Sequence, residues 1–188
     1  EVKDWNDSLI EKIKHYSQNK KIVAIGEIGL DYYWDKSFND LQKEVFIKQI
    51  ELANELNLPI DVHDREAHKD TFDIIQKHNN NSKVIMHCFS GSTEFAKECV
   101  KAGYYLGIGG VVTFKNAKKM KEVVEAIPLE NIILETDAPY LTPEPFRGKE
   151  NQPAYVKYVA EEVASLKKIS VDEVKKITTE NAERIFNL

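Results

Sequence analysis

Five short, largely apolar runs set the terms for this chain, because each stops abruptly on a polar or glycine position and is followed by a stretch with helical spacing. They are Ile22–Gly26 before Glu27, Leu58–Val62 before His63, Lys83–Met86 before His87, Tyr104–Ile108 before Gly109, and Ile132–Thr136 before Asp137. Apolar runs this short read as strands buried on both faces, the condition of a parallel sheet covered by helices. Strand and helix alternate at intervals that fit βαβ units of ~30 residues, so the fold class is α/β. No glycine-rich phosphate loop follows the first run, which favours a barrel over an open doubly wound sheet.

The intervening stretches supply the helices. Asp7–Ser17 carries Leu9, Ile10, Ile13 and Tyr16 at helical spacing. Ser37-Phe-Asn-Asp40 has the form of a capping box ahead of a long amphipathic stretch. Its stripe includes Leu41, Val45, Leu52 and Leu56, flanked by Phe46, Ile50 and Ala53. Further helices are predicted over Ala67–His78, after Ser92 up to Gly103, from Ala117 to the stop at Pro128, and over Ala154–Lys167. Two more close the chain, one behind the capping box Ser170–Glu173 and one over Glu180–Phe186.

A complete (β/α)8 barrel takes ~250 residues, about 60 more than the 188 here. The chain opens on a helix, so the expected architecture is a single TIM-barrel-like domain over residues 1–188 with about five of its eight strands. An unpaired edge along the first strand would be a route to self-association. A net charge of −5 argues against a broad electrostatic grip on nucleic acid and leaves a local basic patch or a bound metal to hold a phosphate. No run approaches the ~20 apolar residues of a membrane span. Cys88 and Cys99 form no CxxC pair and read as reduced core thiols of a cytoplasmic protein.

The candidate chemistry lies at the strand ends. Glu27, His63, His87 and Asp137 each follow an apolar run directly, and the C-terminal rim of a parallel barrel is where active sites of this fold sit. One such residue alone reads as structural. Two imidazoles and two carboxylates on one rim read as a divalent-metal site, and a carboxylate such as Glu27 can bridge two ions. His15 and His78 lie on helices without such context and read as surface residues, and His68, nearer the rim but on a helix side, also reads as non-functional.

The motifs GEIGLDYY, VHDREA, MHCFSGS and LETDAPYLTPEPFRGKENQP, in that order, together with the closing TTENAERIF, resemble the TatD family of metal-dependent deoxyribonucleases. The resemblance runs over essentially the whole chain. It implies an amidohydrolase-like TIM barrel that hydrolyses DNA phosphodiester bonds with two divalent ions, Mg²⁺ being the common choice and Zn²⁺ and Mn²⁺ the alternatives. Position by position, Glu27, His63, His87 and Asp137 match metal ligands of the family. The mechanism expected is attack by an activated water, with Asp137 as the base and Glu27 as the bridging ligand.

This chain has no His-x-His, the pair carried by the family's first strand. Asp64 stands where the family usually has a small polar residue and Glu150 where a basic one is common, both lowering the positive potential near an approaching phosphate. Arg65, two residues past His63, and Arg147, in the segment FRGK with Lys149, are the expected phosphate contacts. Tyr32, Tyr33 and Trp34 read equally as a stacking face for a base or as loop packing. Other substrates open to such a rim are other esters or amides, including aminoacyl-tRNA. The reading from a different class is a catalytically inactive fragment.

Overall fold

The computed structural model describes residues 2–188, which divide into two compact units, one reaching to Ile85 and one running from Met86 to Phe186. The first unit holds helix α1 (Asp7–Ser17), strand β1 (Ile25–Asp31), helix α2 (Asn39–Leu56), strand β2 (Ile60–Arg65) and helix α3 (His68–His78). Helix α1 has the bounds its spacing predicts, and the Asn6 side chain caps it by accepting from the Ser8 amide at 3.1 Å. β1 and β2 run parallel, pairing Ile25 with Ile60 and Asp31 with Arg65. α2 packs on β1, and α3 on β2 and α2.

β1 is displaced from the strand expected over Ile22–Glu27. Ile22 is 39% exposed, and its amide closes a turn onto the Asn19 carbonyl at 2.9 Å. Pairing starts only at Ile25, whose amide donates to the Pro59 carbonyl at 2.9 Å, and continues through Asp31. The register shifts between Ile25 and Ile28, so Glu27 sits within the strand at an irregularity. Its side chain is 44% exposed, which relieves most of the burial cost that a carboxylate at the end of a covered strand would carry. Gly29 is required here. It has φ +144°, and a Cβ on it would stand 2.0 Å from the His63 carbonyl oxygen.

Helix α2 also departs from expectation in two respects. Val45 and Leu52 of the expected stripe are buried together with Phe46, Ile50 and Ala53, which are fully buried and spaced for one side of a helix, while Leu41 is exposed. The Ser37–Asp40 box does not cap it. Asp35 instead accepts from the Ser37 amide at 3.0 Å and the Ser37 hydroxyl at 2.6 Å, building a 3₁₀ turn over Lys36–Phe38 that feeds α2. A carboxylate is the stronger acceptor, so the cap moves upstream.

Strand β3 (Val84–Met86) carries the division between the units, and the strand order follows the chain, β1-β2-β3-β4-β5. In the second unit, β4 (Tyr105–Ile108) and β5 (Ile132–Leu134) pair in parallel from Leu106 with Ile132 to Ile108 with Leu134. Around them lie α4 (Thr93–Lys101), α5 (Lys118–Ala126), α6 (Val156–Lys167) and α7 (Val171–Phe186). Ser92 caps α4 as expected, accepting from the Phe95 amide at 3.2 Å. Leu106, Ile108, Val123, Val163 and Ile185 are fully buried. Among the described residues no helix is long and apolar enough to cross a membrane.

The last two predicted helices are one continuous helix, α7. The polar run Thr178–Asn181, which reaches the expected start of the last helix, is absorbed by specific bonds. The Thr178 hydroxyl donates back to the Val174 carbonyl at 2.9 Å. Asn181 is fully buried and its amide donates to the carbonyls of Leu129 and Ile132, at 2.9 and 2.8 Å. Asn181→Ala removes both of these buried hydrogen bonds and is expected to lower stability by about 2 kcal/mol. Urea denaturation measures this, and an unchanged midpoint would show that the carbonyls find other donors.

Candidate metal centre

In the first unit, the side chain of His63 stands between two carboxylates. Its Nδ1 lies 2.7 Å from Glu27 Oε1 and its Nε2 3.1 Å from Asp31 Oδ2. The hydrogen bond to Glu27 raises the His63 pKa above its ordinary value, Asp31 adds to the rise, and partial burial opposes it. Protonated, the imidazole donates from both nitrogens. Asp31 is itself well anchored. Its amide donates to Gln42 Oε1 at 2.7 Å, and Gln42 Nε2 donates to its carbonyl at 2.9 Å.

Asp64, next along β2, does not face outward to repel an anion as its position in the sequence suggests. Its side chain is 5% exposed, with Oδ2 2.7 Å from Nδ1 of His68, and Oδ1 has no partner. His68 is thus structural, as expected, but by pairing with a buried carboxylate. Arg65 is exposed at the end of β2, its guanidinium 3.9 Å from the centre of the Tyr33 ring and 5.5 Å from that of Trp34.

In the second unit His87 directly follows β3. Its Nδ1 is 3.4 Å from Glu135 Oε2 and its Nε2 3.6 Å from Asp137 Oδ1. Asp137 has φ 55°, a left-handed conformation that Asp tolerates better than most residues. Glu135 occupies space that Gly107 of β4 leaves open, since a Cβ there would lie 2.1 Å from Glu135 Oε2. Its other oxygen, Oε1, is buried with no hydrogen-bond partner.

The residues present suit a divalent ion. Imidazole and carboxylate donors are those Mg²⁺, Mn²⁺ and Zn²⁺ take, and the orphaned Glu135 oxygen is an acceptor that the protein leaves unsatisfied. Among the described residues, no group of three or more His, Cys, Asp or Glu is placed to hold a metal ion. The structure brings Glu27 to His63 and His87 to Asp137, each with one further carboxylate, Asp31 and Glu135, that the sequence reading passed over. The signal for both was period two, since Glu27, Gly29 and Asp31 alternate along β1, and Glu135 and Asp137 are likewise two apart just past β5.

Arg147 is exposed in the loop after β5, with its guanidinium 3.8 Å from the Phe114 ring centre. That loop is closed at its base by Asn151, whose buried amide donates to the carbonyls of Thr136 at 2.7 Å and Tyr140 at 2.6 Å. The Thr142 hydroxyl adds a bond to the Lys149 carbonyl at 2.5 Å.

A family profile described as TatD related DNase matches residues 1–187. The uncharacterized metal-dependent hydrolase YabD of Bacillus subtilis is 54% identical over 186 residues, covering 98% of this chain and 73% of that protein. The uncharacterized metal-dependent hydrolase YcfH of Escherichia coli K12 is 39% identical over 180 residues, 95% of this chain and 68% of the relative. Among solved structures, the TatD homolog YJJV from Escherichia coli superposes with a TM-score of 0.90 at 30% identity, covering 100% of this chain and 73% of that one. The parallel, TIM-barrel-like α/β fold expected from the sequence is the fold of these neighbours.

Proposed function

We propose, on the premise that this chain belongs to the TatD-related DNase family of metal-dependent hydrolases, that it hydrolyses phosphodiester bonds of DNA with divalent metal, for which Glu27 and His63 of the first unit and His87 and Asp137 of the second are the proposed ligands. The observation that carries the reading is His63, bracketed by Glu27 and Asp31 at hydrogen-bonding distance with its pKa raised. Carboxylates placed to hold a proton on an imidazole are placed to hold a metal cation when that proton leaves. When bound, a divalent ion supplies a Lewis acid that neutralises phosphate charge and makes water a better nucleophile at neutral pH. Mg²⁺ is the first choice and a pair of ions the expected number, and Glu27 would be among the residues that hold them.

The chain's own groups then have distinct tasks. Asp137 accepts the proton of the attacking water. Glu135 sits against His87 Nδ1 and fixes the ring so that Nε2 faces Asp137. Arg65 and Arg147 are exposed guanidinium groups whose paired N–H donors match phosphate oxygens.

The test is to incubate the protein with an end-labelled oligodeoxynucleotide and Mg²⁺ or Mn²⁺. Nucleotide release that stops in excess chelator is expected. Undiminished cleavage in chelator would remove metal from the mechanism, and inertness toward DNA combined with hydrolysis of an aminoacyl ester would transfer the site to the other ester chemistry.

A further inference from the structure

We propose that Trp34, Tyr33 and Arg65 form a nucleobase subsite next to the Glu27–His63 pair, in which a base of the substrate stacks on the Trp34 indole and Arg65 takes the adjoining phosphate. This rests on the DNA reading above and adds to it the residues that receive the base. Trp34 is 74% exposed and Tyr33 47%, so neither ring is spent on the core. Their centroids are 4.8 Å apart at an interplanar angle of 87°, the edge-to-face packing that orients one ring by the other. Arg65 lies over the Tyr33 ring at 3.9 Å. The three side chains therefore order one another before any ligand arrives, which lowers the entropy cost of binding.

The platform is tied to the chemistry by a single carboxylate. Asp31 Oδ1 accepts from the Tyr33 amide at 2.9 Å, while Asp31 Oδ2 lies 3.1 Å from His63 Nε2. The Tyr32 amide also donates to the Arg65 carbonyl at 2.9 Å. Tyr32 itself is excluded as a stacking face. Its hydroxyl donates to Asp70 Oδ2 at 2.8 Å, its pKa is pushed to about 12 chiefly by burial, and Lys43 closes the same cluster at 2.7 Å from Asp70. An exposed aromatic face beside a guanidinium matches the two parts every nucleotide brings together, a flat base and an anion.

Trp34 is also a reporter, being one of two tryptophans in this sequence. In a Trp5→Phe background, thymidine 5′-monophosphate is expected to quench tryptophan fluorescence saturably, whereas deoxyribose 5-phosphate is not, and Trp34→Phe with Trp5 kept as the fluorophore should show no such quench. With oligothymidylate as substrate, Trp34→Ala should raise KM roughly tenfold, with the loss falling on KM rather than kcat. Trp34→Phe should recover most of it, which a merely structural tryptophan would not require. Saturable quenching specific to the base supports the subsite. Its absence, or a Trp34→Ala KM equal to that of the parent, overturns it. Failure to cleave any DNA would defeat the nuclease reading separately, and the mononucleotide titration would still decide the subsite.

Discussion

Replacing Glu27 by Gln is expected to reduce metal-dependent DNA cleavage by about three orders of magnitude, the upper end for removing one electrostatic group from an active site. The substitution keeps the shape of the side chain and an oxygen able to accept from His63 Nδ1, at 2.7 Å in the parent. What it removes is the charge, and a neutral amide is a poor ligand for a hard divalent cation. Because Glu27 is 44% exposed and outside the packed core, thermal unfolding without metal should shift little, within about 0.5 kcal/mol. Calorimetric titration with Mn²⁺ should show affinity and activity lost together. Asp31→Asn, which touches His63 on its other nitrogen, should cost only about 10- to 100-fold. A Glu27→Gln protein retaining a substantial share of parental activity would place Glu27 outside the metal centre.

Metal affinity should rise about tenfold per pH unit up to the raised pKa of His63 and then level off, a hundredfold over two units. The hydrogen bond from the imidazole to Glu27 is the principal cause of that rise, so the metal-free protein holds the proton above the pH at which a free histidine releases it. A ligand imidazole must be neutral. Each ion bound below this pKa therefore displaces one proton, and raising the pH removes the competitor. The metal-free fold responds with the opposite sign. A raised folded pKa means that the stabilisation from His63 is fully present below the unfolded pKa of about 6.5 and is lost as pH rises through the folded value. Titration in two buffers of different ionisation heat measures the released proton directly. Affinity independent of pH, with no proton released, would show that His63 is not displaced. In Glu27→Gln the same window should move down toward that of an ordinary histidine.

The parts of the fold readable from sequence were those decided locally. β3, β4 and β5 are short, fully apolar runs between turn residues, and they fall within two residues of their expected bounds. β1 was misplaced because Ile22, Val23 and Ala24 are as apolar as a strand, yet pairing is set by which residues β2 offers, beginning with Ile60 opposite Ile25. The continuity of α7 was not legible because Asn181 is held by the Leu129 and Ile132 carbonyls, partners far away in the sequence. Within the candidate site, Glu27, His63, His87 and Asp137 stood out because each directly follows an apolar run. Asp31 and Glu135 did not. The role of Asp31 depends on β1 extending past Glu27, and that of Glu135 on the room that Gly107 leaves across the β4–β5 pair.

The bonds of Asn151 bear on how this protein can change over evolution. One side chain ties Thr136, where the segment leaves β5, to Tyr140, and the Asn151 amide returns to the Pro139 carbonyl at 3.0 Å. The segment between them is a purse whose drawstring is Asn151. Its interior can therefore be lengthened or exchanged without loosening the neck that positions Asp137. Gly148 marks the most permissive point, since a side chain there would meet nothing within 4 Å, although its φ of +87° favours glycine or asparagine at the junction. New contacts could be grafted at this tip, in nature or by design, while the Asp137 carboxylate keeps its place.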